Sequence, residues 1–304
     1  MKQTHFLITC ICMLFCSCSS VEPEKTSETL KGSDVSSAAA EKTGLVRKSA
    51  SGSYSGMKLD HFHNTAWRTH IPAKPGSGNT LESILSGPNE IIRSVETDMR
   101  LNCEDILVAA HNNKVGGNCR NVRKKTIKQL KNCTLAKGYH VGTIYDLLSQ
   151  PYDDIFIDLK NTDSSDEHIV VSALMSAADA VVSSGRQKDV VLMVYKIPPQ
   201  LRTLIRKYNL RLGLKGYPRK RKQVKAMIKM AADNRMELIC IKVEYISRRI
   251  IRKSAKQGIW VLGWDTGKNI NKWKKLASWG LGGLINKKLE MVRDEVAPLW
   301  KCPY

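Results

Sequence analysis

From residue 57 onward, short apolar runs alternate with helix-length segments, and this alternation limits the fold more than any other feature of the chain. The intervening segments are amphipathic, as in "HIVVSALMSAADAVVSSG" and "RKQVKAMIKMAADN". Apolar strands separated by amphipathic helices are typical of parallel sheets with helical crossovers. The apolar runs occupy residues 57–63, 94–99, 106–111, 154–160, 190–195, 210–216, 238–244, 259–264 and 282–286.

Two of these nine runs stand too close together for a helical crossover. Only six residues separate the run at 94–99 from the run at 106–111, whereas a parallel crossover needs about a dozen or more. We therefore expect these two runs to pair as an antiparallel hairpin, which leaves eight strands for a parallel barrel. The sequence predicts an α/β protein, a (β/α)₈ TIM barrel with a β-hairpin inserted after its second strand, with residues 57–304 as one domain.

The N-terminus has the pattern of an export signal. An apolar run over residues 6–16 is too short to span a bilayer as a mature helix and predicts a signal peptide over residues 1–17. The segment "LFCSCSS" resembles a bacterial lipoprotein signal, in which a lipidated Cys18 would anchor the protein in the cell envelope. Plain secretion and retention as an uncleaved anchor are the alternatives. Residues 18–56 are polar and carry no apolar period, which indicates a flexible tether.

The chain carries a formal net charge of +21, and the excess is concentrated in one segment. Residues 196–256 contain 19 Lys or Arg residues against three acidic ones, including the run "RKRK" from Arg219 to Lys222. Such a surface attracts polyanions: an anionic membrane, a phosphorylated substrate or a nucleic acid. Export argues against nucleic acid, so a membrane surface is the expected partner of this basic face. Ordinary solvated helix faces are the alternative explanation.

Five cysteines follow the leader, and an oxidising compartment would permit disulfides. Cys119 and Cys133 close a short polar loop, so they are the first choice for a disulfide pair. A zinc site is disfavoured, because no CxxC or paired Cys/His spacing occurs after the leader.

The run "SVETDM" places two acidic residues inside an apparently buried strand. Side chains two residues apart in a strand point the same way, so Glu96 and Asp98 share one face while their apolar neighbours occupy the other. Two adjacent carboxylates repel each other unless a positive group lies between them. The pair therefore predicts either a metal ion or a basic side chain at this position.

Polar and aromatic residues recur at the C-terminal ends of the predicted strands, where the chemistry of a (β/α)₈ barrel is located. The first run offers His61 and His63, and strand alternation places both on one face, so spacing cannot separate them. The other candidates are Glu96, Asp98, His111 on the returning hairpin arm, Asp158, Lys160 and Trp264.

Three carboxylates from two strand ends, Glu96, Asp98 and Asp158, form an all-oxygen set suited to Mg²⁺ or, alternatively, Ca²⁺. Lys160 follows Asp158 by two residues and adds a positive charge for an anionic group near the metal. Two histidines on opposite sides of that group can serve as general base or nucleophile and as general acid. A metal, a lysine and two imidazoles are together suited to cleaving a phosphodiester.

These motifs resemble those of the glycerophosphodiester phosphodiesterases, in the phospholipase-C-like phosphodiesterase superfamily. "VETDMRL" followed by "DILVAAHN" is similar to the family's Glu-x-Asp, hairpin and His, and "IFIDLK" is similar to its later acidic-x-Lys strand. "WVLGWDTG" and "ASWGLGGLIN" resemble its closing strands. The resemblance implies a TIM barrel in which Glu96, Asp98 and Asp158 bind metal, His111 is catalytic and Lys160 contacts phosphate.

Some motif positions depart from this family and are more similar to its sphingomyelinase D branch. The first strand reads "DHFHNT" instead of His-Arg-Gly, and Gly78 stands in "GNT" where Glu-Asn-Thr is usual. The form His61-x-x-Asn64, with Asp at position 158, resembles that branch, and so does a disulfide after the second histidine. The branch implies His61 rather than His63 as the other catalytic imidazole, with Asn64 on the substrate side. Trp264 is expected to form a wall of the same site.

The sequence therefore predicts an exported, monomeric, metal-dependent phosphodiesterase that cleaves glycerophosphodiesters or phospholipid headgroups by His-based acid/base catalysis. A sphingomyelinase D-like phospholipase D, releasing the headgroup with formation of a cyclic phosphate, is one alternative. The other is a catalytically inactive cationic barrel that binds anionic lipid, which the missing Arg and Glu of the first motifs would favour.

Overall fold

The computed structural model describes residues 67–70, 79–87, 94–113, 121–133, 135, 138–199, 201–265, 267, 269–286, 288 and 291–299. All of them belong to one compact unit that begins at Ser55. The predicted signal peptide and tether, with Cys18, lie outside the described residues and remain predictions.

Eight parallel strands form a closed ring. The first strand pairs in parallel with both the second and the last, through Thr69 to Val95 and Trp67 to Leu284, so the sheet has no open parallel edge. The predicted (β/α)₈ barrel is thereby confirmed, although its first strand is Trp67–His70 and not the run predicted at residues 57–63, which lies outside the described residues. The strands are β1 (Trp67–His70), β2 (Ser94–Leu101), β3 (Leu107–Ala109), β4 (Asp154–Leu159), β5 (Val190–Val194), β6 (Arg211–Lys215), β7 (Leu238–Lys242), β8 (Trp260–Trp264) and β9 (Gly283–Ile285).

Strand β3 lies outside the ring. It runs antiparallel to β2, with Met99 opposite Ala109 and Leu101 opposite Leu107, and β2 continues the ring by pairing in parallel with β4. The chain beyond β3 is thereby returned toward the C-terminal half of β2.

Helices follow the strands and cover the outside of the ring. Three of them begin after a threonine, Thr80, Thr126 or Thr143, whose side chain accepts a hydrogen bond from a backbone N–H of the first turn. The helices are α1 (Leu81–Leu85), α2 (Ile127–Lys131), α3 (Ile144–Leu148), α4 (Glu167–Ser183), α5 (Leu201–Tyr208), α6 (Arg221–Asp233), α7 (Arg248–Ala255) and α8 (Ile270–Ser278). Within the described part of the chain, no helix is both long enough and apolar enough to cross a bilayer.

The interior of the barrel contains an apolar layer beneath a polar one. Its apolar layer consists of Phe156, Val191, Met193, Leu238, Cys240, Leu262 and Ile285. Because strand side chains alternate, Asp158 points inward two residues beyond Phe156. Gly213 lies on the same inward face of β6, where an added Cβ would collide with the side chain of Leu238. The apolar layer thus separates the polar end of the barrel from the ion pair that Arg211 forms with Asp154 at the other end.

Candidate active site

The three predicted carboxylates meet at the C-terminal end of the barrel. Asp98 on β2 is directly opposite Asp158 on the neighbouring strand β4, and Glu96 precedes Asp98 by one inward position. One oxygen from each residue lies within 4.8 Å of the others, and all three side chains are fully buried. The strand register therefore assembles the acidic cluster that the sequence pattern predicted.

Two buried lysines supply positive charge to this cluster. Lys160 Nζ lies 2.7 Å from Asp98 Oδ1 and 2.5 Å from Asp158 Oδ2. Lys215 is on β6, two strands from β4 in the ring. Its Nζ lies 3.2 Å from Glu96 Oε1 and also donates to Asp158 Oδ2. Three carboxylates and two ammonium groups leave the cluster with a formal charge of −1.

Lys160 is held in place by the 3₁₀ turn Lys160–Asp163, which follows β4 directly. Asn161 Oδ1 accepts from the backbone N–H of Leu101 at 2.9 Å, and Thr162 Oγ1 accepts from the N–H of Tyr195 at 3.0 Å. These bonds tie the turn to β2 and β5, so the lysine is fixed over the acids.

Sequence reasoning did not identify Lys215. It is the last residue of β6, a strand-end position like those of the other candidates. That position could have identified it as a site residue. Burial lowers the pKa of Lys215, but the charges of Glu96 and Asp158 outweigh burial and hold it well above the usual value. Burial also lowers the pKa of Lys160, but the charges of Asp158 and Asp98 outweigh burial and raise it above the usual value. Both lysines are therefore cationic at neutral pH.

Asn79, the middle residue of "GNT", lies just before α1 and holds Asp98 by hydrogen bonds. Its Nδ2 donates to Asp98 Oδ2 at 2.9 Å, and its Oδ1 accepts from Asp98 N at 3.0 Å and from Thr97 Oγ1 at 2.9 Å. Asn79 has φ of 60°, in the left-handed region that asparagine tolerates better than most residues. The sequence showed the triplet but gave no reason to connect it with Asp98.

Three aromatic side chains form a wall beside the cluster. Tyr195 and Tyr217 stack with centroids 5.7 Å apart, and Tyr217 meets Trp264 edge-to-face at 5.7 Å. Tyr195 OH donates to Asp158 Oδ2 at 3.0 Å, and burial together with the Asp158 charge raises the pKa of this phenol. Trp264, predicted as a site wall, has a buried Nε1 without a hydrogen-bond acceptor among the described residues. The two tyrosines are additions to the predicted set.

The hairpin brings His111 to the same end of the barrel. The N–H of Ala110 donates to the carbonyl of Asp98 at 2.9 Å, so His111 is one residue beyond a direct backbone contact with a cluster residue. Arg100 Nε donates to the His111 carbonyl at 3.1 Å. The imidazole is exposed, and its Nδ1 lies 3.1 Å from Asn112 Oδ1. In the tautomer with the proton on Nδ1, this nitrogen donates to the amide oxygen and Nε2 is the accepting nitrogen.

Four of the predicted residues fall where the structure describes nothing. His61, His63, Asn64 and Cys119 lie outside the described residues. Cys133 is a buried free thiol whose Sγ is 3.1 Å from the carbonyl oxygen of Gln129, so the structure gives the predicted Cys119 to Cys133 disulfide no support.

A (β/α)₈ barrel with clustered carboxylates, lysines and a histidine at the C-terminal ends of its strands defines a class of hydrolase suited to an anionic substrate. The model of the glycerophosphoryl diester phosphodiesterase family matches residues 63–290, well over half of the chain. The chain therefore belongs to the glycerophosphoryl diester phosphodiesterase family and is a phosphoric diester hydrolase.

Solved structures with the same fold are only distantly related in sequence. A glycerophosphoryl diester phosphodiesterase from Silicibacter pomeroyi is 15% identical with a TM-score of 0.64, over 79% of this chain and 99% of that one. A glycerophosphodiester phosphodiesterase from Thermotoga maritima is 19% identical with a TM-score of 0.56, over 75% and 95%. An Oleispira antarctica phosphodiesterase, solved with the product sn-glycerol-3-phosphate, is 14% identical with a TM-score of 0.60, over 76% and 94%. No curated protein matches the chain.

Proposed function

We propose that this protein is a metal-dependent phosphodiesterase that cleaves glycerophosphodiesters or phospholipid headgroups by His-based catalysis. The observation that carries the proposal is the set of three buried carboxylates, with one oxygen from each within 4.8 Å of the others. Family membership supports the reaction class.

The residues present fit a hard divalent cation. All three groups offer oxygen, the donor that Mg²⁺ and Ca²⁺ prefer. Asp158 Oδ1 is buried without a hydrogen-bond donor among the described residues, because Lys160, Lys215 and Tyr195 all donate to Oδ2. Glu96, Asp98 and Asp158 would hold the ion, with Mg²⁺ as first choice and Ca²⁺ as the alternative. When bound, such an ion withdraws charge from phosphoryl oxygens.

The side chains around the acids would perform the remaining steps. Lys160 is the phosphate contact, since its ammonium is fixed between Asp98 and Asp158 at the site edge next to Tyr195. His111 is proposed as one imidazole that moves a proton, and His61 as the second.

The aromatic wall would receive the rest of the substrate. Tyr217 is 59% exposed and stacks on Tyr195, so an apolar or cationic headgroup can pack against its ring. For the Oleispira antarctica phosphodiesterase the product is sn-glycerol-3-phosphate, and we propose a glycerol phosphate product here as well.

A basic surface at the same end of the barrel supports docking on anionic membrane. We define the basic loop as residues 219–222, "RKRK", which follow Tyr217, include the first two residues of α6 and are all exposed. Basic residues at the start of a helix oppose the helix dipole, and α6 has no acidic residue in its first turn. The basic residues at the start of α6 therefore destabilise the helix and place positive charge at the mouth of the site. Together with a lipid anchor at Cys18, it would hold a monomer against the bilayer.

The proposal is tested by assaying the full chain, in detergent, on glycerophosphocholine, lysophosphatidylcholine and sphingomyelin. Each reaction is run with EDTA and again with Mg²⁺ or Ca²⁺ restored, and products are identified by phosphorus NMR. We expect metal-dependent release of a phosphomonoester from glycerophosphocholine. A cyclic phosphate would instead indicate the sphingomyelinase D-like reaction. An absence of turnover on every substrate, combined with salt-sensitive binding to anionic vesicles, would indicate the inactive lipid-binding barrel.

A further inference from the structure

Lys215 is a cation that the barrel places directly against two of the three carboxylates. Its Nζ is 3.2 Å from Glu96 Oε1 and also bonds Asp158 Oδ2, and the side chain is buried. Gly213, the preceding inward residue of β6, leaves its space to the side chain of Leu238, with which an added Cβ would collide. Lys215 is therefore a buried cation in direct contact with two of the proposed metal ligands.

The charge balance of the site depends on this residue. With Lys160 and Lys215 both cationic, the cluster carries a formal charge of −1, and a bound divalent ion would bring it to +1. A phosphodiester carries one negative charge, so the loaded site and the substrate neutralise each other. Without Lys215 the same loaded site would be neutral, and the substrate would bring it to −1.

We propose that Lys215 sets the specificity of the site by charge: it weakens divalent-cation binding and keeps the loaded site positive for a phosphodiester monoanion. This inference rests on the proposed function, because it assumes that Glu96, Asp98 and Asp158 bind metal. Lys215 shares two of these carboxylates with the ion, and two cations on one carboxylate repel each other. A bound divalent ion is repelled less by the monovalent ammonium of Lys215 than by a second divalent ion. The site therefore binds one metal ion and keeps a net positive charge for the substrate.

The experiment measures metal binding directly. Mg²⁺ and Ca²⁺ are titrated calorimetrically into the full chain as wild type, Lys215→Met, Lys215→Arg and Lys242→Met. Lys242 is the matched control, since it ends the adjacent strand β7 but pairs with Glu244 at 2.8 Å and is 38% exposed. We expect Lys215→Met to bind metal about tenfold more tightly or better, whereas the other two variants stay near wild type.

Substrate affinity should move in the opposite direction. At saturating metal, Lys215→Met should raise the KM for glycerophosphocholine by about tenfold, because the loaded site loses its net positive charge. Lys215→Arg keeps the positive charge and should have the wild-type KM. If Lys215 contributed only through the packing of its methylene groups, Lys215→Met would keep the wild-type KM instead.

The outcomes separate this inference from the function on which it rests. Unchanged or weaker metal binding by Lys215→Met, beside measurable binding by wild type, would overturn the inference alone. An absence of metal binding in both proteins would overturn the metal-dependent function together with the inference. If Lys215→Met does not fold in EDTA, recovery of a cooperative thermal transition on adding Mg²⁺ or Ca²⁺ supports the inference, and failure to recover counts against it.

Discussion

Asn79 and Asp98 are joined by two hydrogen bonds, from Asn79 Nδ2 to Asp98 Oδ2 at 2.9 Å and from Asp98 N to Asn79 Oδ1 at 3.0 Å. The pair fixes both the side chain and the backbone of a residue in the acidic cluster. Outer partners of this kind orient metal ligands and typically affect metal affinity by about 10- to 100-fold. Asn79 is thus a positioning residue for Asp98.

Asn79→Gly should lower Mg²⁺ affinity by about 10- to 100-fold and the free energy of unfolding by about 1–3 kcal/mol. Glycine is chosen because it adopts the left-handed backbone of Asn79 without strain, so the substitution removes the side-chain amide without disturbing the backbone. Asn121→Gly is the matched control: Asn121 has φ of 62° and its side chain makes no capping hydrogen bond. Equal metal affinity in the two variants would show that Asn79 does not position Asp98.

His111→Ala should lower kcat by about 10²- to 10⁴-fold, the usual range for a lost acid/base group. The melting temperature should change little, because the imidazole is exposed and its hydrogen bond is to the adjacent Asn112. His168→Ala, at an exposed position in the first turn of α4, is the control and should retain full activity. Activity that survives in His111→Ala would remove this histidine from the mechanism.

Tyr217→Ala should raise KM by about three- to tenfold with little change in kcat, since it removes the exposed ring that stacks on Tyr195. Stability should be nearly unaffected, because Tyr217 is 59% exposed. Tyr145→Ala is matched in exposure at 54% and serves as the control. Steady-state kinetics on glycerophosphocholine and lysophosphatidylcholine give the comparison, and equal KM values for the two variants would argue against the aromatic wall.

The cysteines should differ in reactivity with iodoacetamide. Burial raises the pKa of Cys240 to about 12 and that of Cys133 above its usual value, whereas Cys103 is exposed. At about pH 8 the Cys240 thiol is therefore almost entirely protonated as well as inaccessible, and thiolates are the reactive form. Peptide mass spectrometry should find Cys103 labelled and Cys240 labelled only after denaturation in urea.

The same labelling tests the predicted disulfide. A Cys133 that resists iodoacetamide in urea until a reductant is added would indicate pairing with Cys119. Labelling of Cys133 in urea without reductant would indicate the free thiol that the structure contains.

Charge reversal in the basic loop should weaken binding to anionic vesicles. Arg219→Glu with Lys220→Glu should lower the vesicle partition coefficient by about tenfold or more, because each basic residue near such a surface contributes roughly 1 kcal/mol. Lys253→Glu with Lys256→Glu is the control, since these residues lie at the C-terminal end of α7, away from the barrel mouth. Co-sedimentation at low and high salt provides the measurement. Equal loss in both double variants would indicate a general effect of net charge rather than docking through the loop.

Local pattern predicted the barrel but not the position of its first strand, which is Trp67–His70. The alternation of apolar runs with amphipathic segments is set by the residue periods of strands and helices, and the six residues before the third run are too few for a crossover. Those two facts predicted the ring of eight parallel strands that the structure contains. The same strand period placed Glu96 and Asp98 on one face, where both are buried.

Asp158 was predicted from its strand-end position, but its distance from Glu96 and Asp98 depends on which strands are neighbours. The hairpin leaves β2 free to pair with β4, and that register sets Asp98 opposite Asp158. No local feature of either strand specifies the register, which follows from closing the whole ring.

Residue pattern along the chain thus predicts the fold, the acids of the site and the need for a positive charge between them. How much of that charge the chain itself provides follows from the folded barrel, since Lys160 and Lys215 contact the acids from different strands. Lys215 is separated from Glu96 by 119 residues, and β6 is three strands from β2 in the ring, so the curvature of the sheet brings the two side chains together. Ion pairs of this kind depend on distances through space, whereas the periods that predict strands act along the chain.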